Sequence, residues 1–97
     1  MRFHVEVTIR DFDLAHPLWS RFVEAASRRP PEIRNVAFPD MHDRVRAGQS
    51  IKLEVDALIP DDAARQAIAF IREVGQTVDR YGTVVWAGTS ANARRLP

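Results

Sequence analysis

His4 and Glu6 stand two residues apart in the opening run MRFHVEVTIR, and Asp56 closes the run SIKLEVD further along the chain. If both runs are extended, side chains two apart share a face, and an imidazole with two carboxylates could then converge as a metal site or an acid–base cluster. Such a set, without a second histidine at ligand spacing, is a thin metal signal. No metal is assigned to it.

A second group of reactive side chains lies in FPDMHDRVRAGQS, residues 38–50, which carries His42, Asp43, Arg44 and Arg46 between two apolar runs. Adjacent residues of an extended segment point to opposite sides, so His42 and Asp43 make a poor base-and-orienter pair. Arg44 and Arg46 would point the same way and could clamp a phosphate or carboxylate, although solvated surface arginines are the plainer reading. The stretch from Pro39 to Ser50 is long for a hairpin connection. Either the strands continue past a bulge at Pro39 to a turn at Ala47, Gly48 and Gln49, or a loop presents these residues to a ligand.

The chain has no cysteine, which excludes disulfides, thiolate metal sites and cysteine nucleophiles. It has no glycine-rich phosphate loop, no Gly-x-Ser-x-Gly and no His-Glu-x-x-His, and no cofactor is assigned. All but one of the 14 basic residues are arginine, yet 13 acids leave a formal charge of +1, too little for a general attraction to phosphate backbones. The N-terminal run alternates where a signal peptide needs unbroken apolarity, and no stretch offers about 18 apolar residues for a membrane span. The chain reads as a cytoplasmic protein with no membrane partner.

The elements that must position these residues are legible from periodicity. Phe3, Val5, Val7 and Ile9 alternate with Arg2, His4, Glu6, Thr8 and Arg10, a period of two that predicts a half-buried strand. Leu14, Leu18, Phe22 and Ala25 follow at helical spacing, with Asp13 or His16 as caps and RRPP at 28–31 as the stop. EIRNVAF predicts a weaker strand, and SIKLEVDALI a strong one with Ile51, Leu53, Val55 and Ala57 inward. PDDAARQAIAFIREVGQTVDRYG opens with proline and two acids as a helix should, and runs to Gly82. Gly75, inside it, reads as a point of close helix–sheet approach. TVVWAG, residues 83–88, predicts a last short strand, and 91–97 a flexible tail after a single domain at 1–90.

The order is βαββαβ. Two β-α-β halves in one four-stranded antiparallel sheet, order 4-1-3-2, with both helices on one face, make a ferredoxin-like α+β sandwich. The open face then carries His4, Glu6 and Thr8 beside Lys52, Glu54 and Asp56, extended by Val36 and Phe38 of the second strand and by Trp86 or Val85 of the last. Trp86 turned inward is core; turned outward it is an aromatic anchor for an interface. The outward positions lack the aromatics that an RNA-binding sheet uses for stacking, so nucleic acid is not the expected partner.

A fold well specified without a catalytic constellation predicts a small non-catalytic interaction or regulatory module. It would self-associate or bind a protein partner through the open face, the second-strand edge and the 39–50 hairpin, with His4, Glu6, Glu54, Trp86, His42, Arg44 and Arg46 as candidate contacts. One alternative is a cofactor-free enzyme or small-molecule binder of the dimeric α+β-barrel kind, using His4, His42 or Trp86 in a pocket between sheet and helices. Another is phosphate or nucleic-acid binding by Arg44, Arg46, Arg94 and Arg95. A fold shared by many activities does not choose among them.

Overall fold

A computed structural model describes residues 1–39 and 50–96. The elements run β1 (Arg2–Ile9), α1 (Trp19–Ala26), β2 (Ile33–Ala37), β3 (Ser50–Asp56), α2 (Pro60–Val78), a 3-10 turn (Trp86–Gly88) and β4 (Thr89–Arg95). The strands form one antiparallel sheet in the order β2-β3-β1-β4, which is the predicted α+β topology read from its other edge. Among the described residues no helix is long and apolar enough to cross a membrane.

The two strands with the strictest alternation occupy the centre. Phe3, Val5 and Val7 of β1 pair with Val55, Leu53 and Ile51 of β3, and all six side chains are buried against the helices. Full burial of side chains of this size contributes roughly 1.5–3 kcal/mol each. The sheet's centre is therefore held mainly by its apolar face. α2 covers it with Ala63, Ala67, Phe70, Ile71 and Val74, a stripe at helical spacing that opens on Pro60, Asp61 and Asp62, residues suited to the positive end of the helix dipole.

α1 is shorter than its apolar periodicity predicts. Asp13 accepts the Ala15 N–H at 2.9 Å and His16 Nδ1 accepts the Leu18 N–H at 3.1 Å. These side chains hold turns ahead of the helix, which begins only at Trp19, without a side-chain cap. The turn carries Phe12 into the core, where its ring lies 5.2 Å from each of Trp19, Phe22 and Trp86.

β2 is an edge strand, and a register shift falls between Arg34 and Ala37. Asn35 takes a left-handed conformation there, φ 53°, which asparagine tolerates better than most residues. The extra residue flips the alternation, so Ile33 is core and both Val36 and Phe38 pack against it. That corrects the expectation that Val36 and Phe38 lie on the open face.

The end of the chain differs more. TVVWAG is not a strand: it holds a turn and the 3-10 segment, and the last strand is the next run, Thr89–Arg95, taken largely from residues expected to form a tail. α2 likewise stops at Val78, and Gly82, φ 65°, lies in the turn beyond it. The reason is Trp86. Its indole is 6% exposed and stacks on Phe22, centroids 5.8 Å apart at 12°, so 83–88 must fold inward and the chain reaches the β1 edge only afterwards.

Candidate functional site

The open sheet face is organised in rows that cross the strands. Arg94 of β4, His4 of β1, Glu54 of β3 and Arg34 of β2 stand opposite one another in sequence across the sheet. Asn92, Glu6 and Lys52 form the next row. Asn35 donates from Nδ2 to Oε2 of Glu54, Arg2 Nε lies 3.6 Å from Asp56 Oδ1, and His4 Nε2 lies 3.7 Å from Glu6 Oε1. The two cross-strand pairs, Asn35–Glu54 and Arg2–Asp56, are worth a few tenths of a kcal/mol each, whereas His4 and Glu6 lie two apart on β1 itself.

His4 and Glu6 therefore share a face, as the alternation requires, and line a depression of ≈ 180 Å³ with Asn92, Ala93 and Arg94. Asp56 is engaged by Arg2 instead. Among the described residues no group of three His, Asp or Glu side chains could hold a metal ion. Two copies laid face to face would desolvate Arg94, Glu54, Lys52 and Arg34 with little apolar area in return, which burial of charge does not favour.

Trp86 is turned inward and leaves the set of candidate contacts. Its Nε1–H donates to Asp79 Oδ2 at 3.0 Å, and the same carboxylate accepts from Val84 N at 2.9 Å and from Thr83 N and Oγ1, each at 2.9 Å. Burial pushes the Asp79 carboxyl up, but the hydrogen bonds from Thr83, Val84 and Trp86 outweigh it and hold the pKa at about 2. Gly75, one turn earlier on α2, is the gap into which the indole fits: a Cβ there would overlap the six-membered ring. The glycine serves approach of Trp86, not of the sheet. Arg72 completes the clasp, donating from Nε to Trp86 O and from Nη2 to Ala87 O, both at 3.1 Å.

His42, Arg44, Arg46 and the body of the 39–50 hairpin lie outside the described residues. No family model, curated protein or solved structure matches this chain.

Among the described residues, three surfaces stand out beyond the rows of the open face. Two grooves flank the α1–α2 seam. One, of ≈ 550 Å³, is lined by Ala25, Arg28, Ile33, Phe70 and Val74 among others. The other, of ≈ 580 Å³, is lined by Leu18 and Val78 together with His16, Arg21, Arg80 and Tyr81. The third surface is the free edge of β4. β2, at the opposite edge, is interrupted by its bulge, whereas β4 pairs with β1 without a register shift from Thr89 to Arg95. Sequence reasoning missed this edge because its residues are small and polar, and nothing in TSANARR announces a strand by propensity.

Proposed function

We propose that this chain is a non-catalytic contact module that self-associates, and that sheet edge rather than sheet face is its principal contact. The observation that carries this reading is the uninterrupted β4 ladder at one edge of the sheet, against the bulged β2 at the other. An edge strand exposes unpaired N–H and C=O groups and invites another strand, and proteins that avoid such pairing shorten, bulge or cover the edge. β2 has the bulge; β4 has none. The interior supports the same reading against a barrel-like pocket, since Phe12, Trp19, Phe22, Phe38 and Trp86 fill the space between sheet and helices with rings in mutual contact.

Sedimentation velocity across the micromolar range tests it. A weight-average mass that rises with concentration and keeps its value in moderate salt is expected, because edge pairing depends on backbone hydrogen bonds and not on screened charge. A strict monomer throughout would remove it.

A second reading has one specific observation behind it. The ≈ 580 Å³ groove joins apolar Leu18 and Val78 to basic Arg21 and Arg80, the size and lining that would suit a small anionic molecule with an apolar body. A melting shift with aromatic carboxylates, lost in Arg21→Ala and Arg80→Ala, supports that reading. No shift removes it.

A further inference from the structure

We infer that the strand that completes β4 is β4 of a second copy of this chain, antiparallel, with the two-fold axis passing through Asn92. The inference rests on the contact reading above and specifies its partner and register.

The polarity of the edge follows from the ladder inside the chain. Leu96 N–H donates to the Arg2 carbonyl at 3.2 Å, and Arg94 and Asn92 face His4 and Glu6 further along the same ladder. Hydrogen-bonded pairs alternate along antiparallel strands, so the even-numbered residues of β4 direct their backbone groups to β1. Ala91, Ala93 and Arg95 direct theirs outward. Thr89 does so with its carbonyl only, because its N–H is donated to Trp86 O.

A second strand must place its own outward residues opposite these, which restricts a symmetric pair to a few registers. Centred on Asn92, all of β4 overlaps: Ala91 faces Ala93 of the second copy, Ser90 faces Arg94, and Thr89 faces Arg95. Every arginine then stands opposite a hydroxyl residue, and the outward N–H of Arg95 finds the Thr89 carbonyl, whose own N–H is already used. Centring on Ala93 shortens the overlap. Centring on Arg94 sets that residue against itself, and like charges directly opposite are destabilising.

The helix layer agrees with the same occupant. Arg72 is tied to the carbonyls that lead into β4, and Ile68 and Ala64 lie one and two turns before it on the same stripe of α2. Both are half-buried. They flank the edge that a second copy would cover, whereas Ala69, Phe70 and Glu73 face the α1 groove.

The chain has no cysteine, so single-cysteine variants give an unambiguous test. Two copies of residue 92 would form a non-hydrogen-bonded pair with Cα atoms about 4.5 Å apart, inside the range that a disulfide spans. Equivalent copies of residue 90, or of residue 94, would be about 13 Å apart. Under mild oxidation at micromolar concentration, Asn92→Cys is expected to cross-link at least about tenfold faster than Ser90→Cys or Arg94→Cys. Ala93→Pro removes an outward N–H without touching the β1 ladder. It is expected to weaken the dimer about tenfold or more, through the two hydrogen bonds lost per dimer, while circular dichroism and melting of the monomer are kept. A dimer by sedimentation in which positions 90, 92 and 94 cross-link at equal rates overturns the register and leaves self-association standing. A monomer at about 100 μM overturns both.

Discussion

The indole N–H of Trp86 meets the carboxylate of Asp79 at 3.0 Å with both residues buried. This bond, seven residues long in sequence, turns the chain after α2 inward and sets where β4 begins. Four donors converge on the two oxygens, so the carboxylate is a structural hub and not a spare acid. Replacing Asp79 by alanine leaves the indole N–H and the Val84 N–H buried without acceptors. A loss of about 3 kcal/mol is expected, read by chemical denaturation at neutral pH.

Acid should act through the same group. Asp79 lies below its ordinary value of 3.8, at about 2 in the folded chain. A depressed carboxyl contributes its stability above the unfolded pKa and loses it as pH falls toward the folded one. The melting temperature is therefore expected to drop between pH about 4 and pH about 2, and Asp79→Asn is expected to show a flatter slope in that window. Equal slopes would assign the acid sensitivity to other carboxylates.

Gly75→Ala tests the fit between α2 and the indole. Alanine gains about 1 kcal/mol of helix propensity over glycine, but its Cβ would overlap the Trp86 ring. The expected net effect is destabilisation of about 1–3 kcal/mol, the usual cost of overpacking. Combined with Trp86→Leu, the alanine should cost far less than it does alone, and additive effects in that double-mutant cycle would refute direct contact.

Arg72 holds two carbonyls with a fork that lysine cannot reproduce. Arg72→Lys is expected to cost about 1 kcal/mol, and Arg72→Ala somewhat more because the Trp86 and Ala87 carbonyls each lose a charged donor. Urea denaturation with an unchanged m-value would check this. A smaller m-value would mean that the loop had opened in the folded state, leaving less surface to expose on unfolding.

The bulge in β2 makes a prediction of opposite character. Asn35 sits at φ 53° and donates to Glu54. Asn35→Gly relieves backbone strain while losing that bond and should be close to neutral; Asn35→Val meets the strain without relief and is expected to cost about 1–2 kcal/mol. If valine were tolerated, the left-handed bulge would be in doubt, and with it the inward placement of Val36 and Phe38.

How far the sequence alone reached can be read from particular residues. His4, Glu6 and Glu54 were legible as open-face side chains because period-two alternation assigns a face without reference to anything distant. The rows they form with Arg94 and Arg34 were not, since pairing partners depend on register. Trp86 resisted for a related reason. TVVWAG has strong strand propensity, and only the gap at Gly75 and the acceptor at Asp79, eleven and seven residues away, show why it bends inward.

The amino-acid order by itself determined the βαββαβ succession and the inward sets of β1 and β3, because each is a local period matched to a helix or strand. The tertiary structure alone decided the extent of β4, the flipped alternation of β2 and the burial of Trp86. In each, long-range packing and hydrogen bonding outweighed a local propensity of at most about 1 kcal/mol per residue.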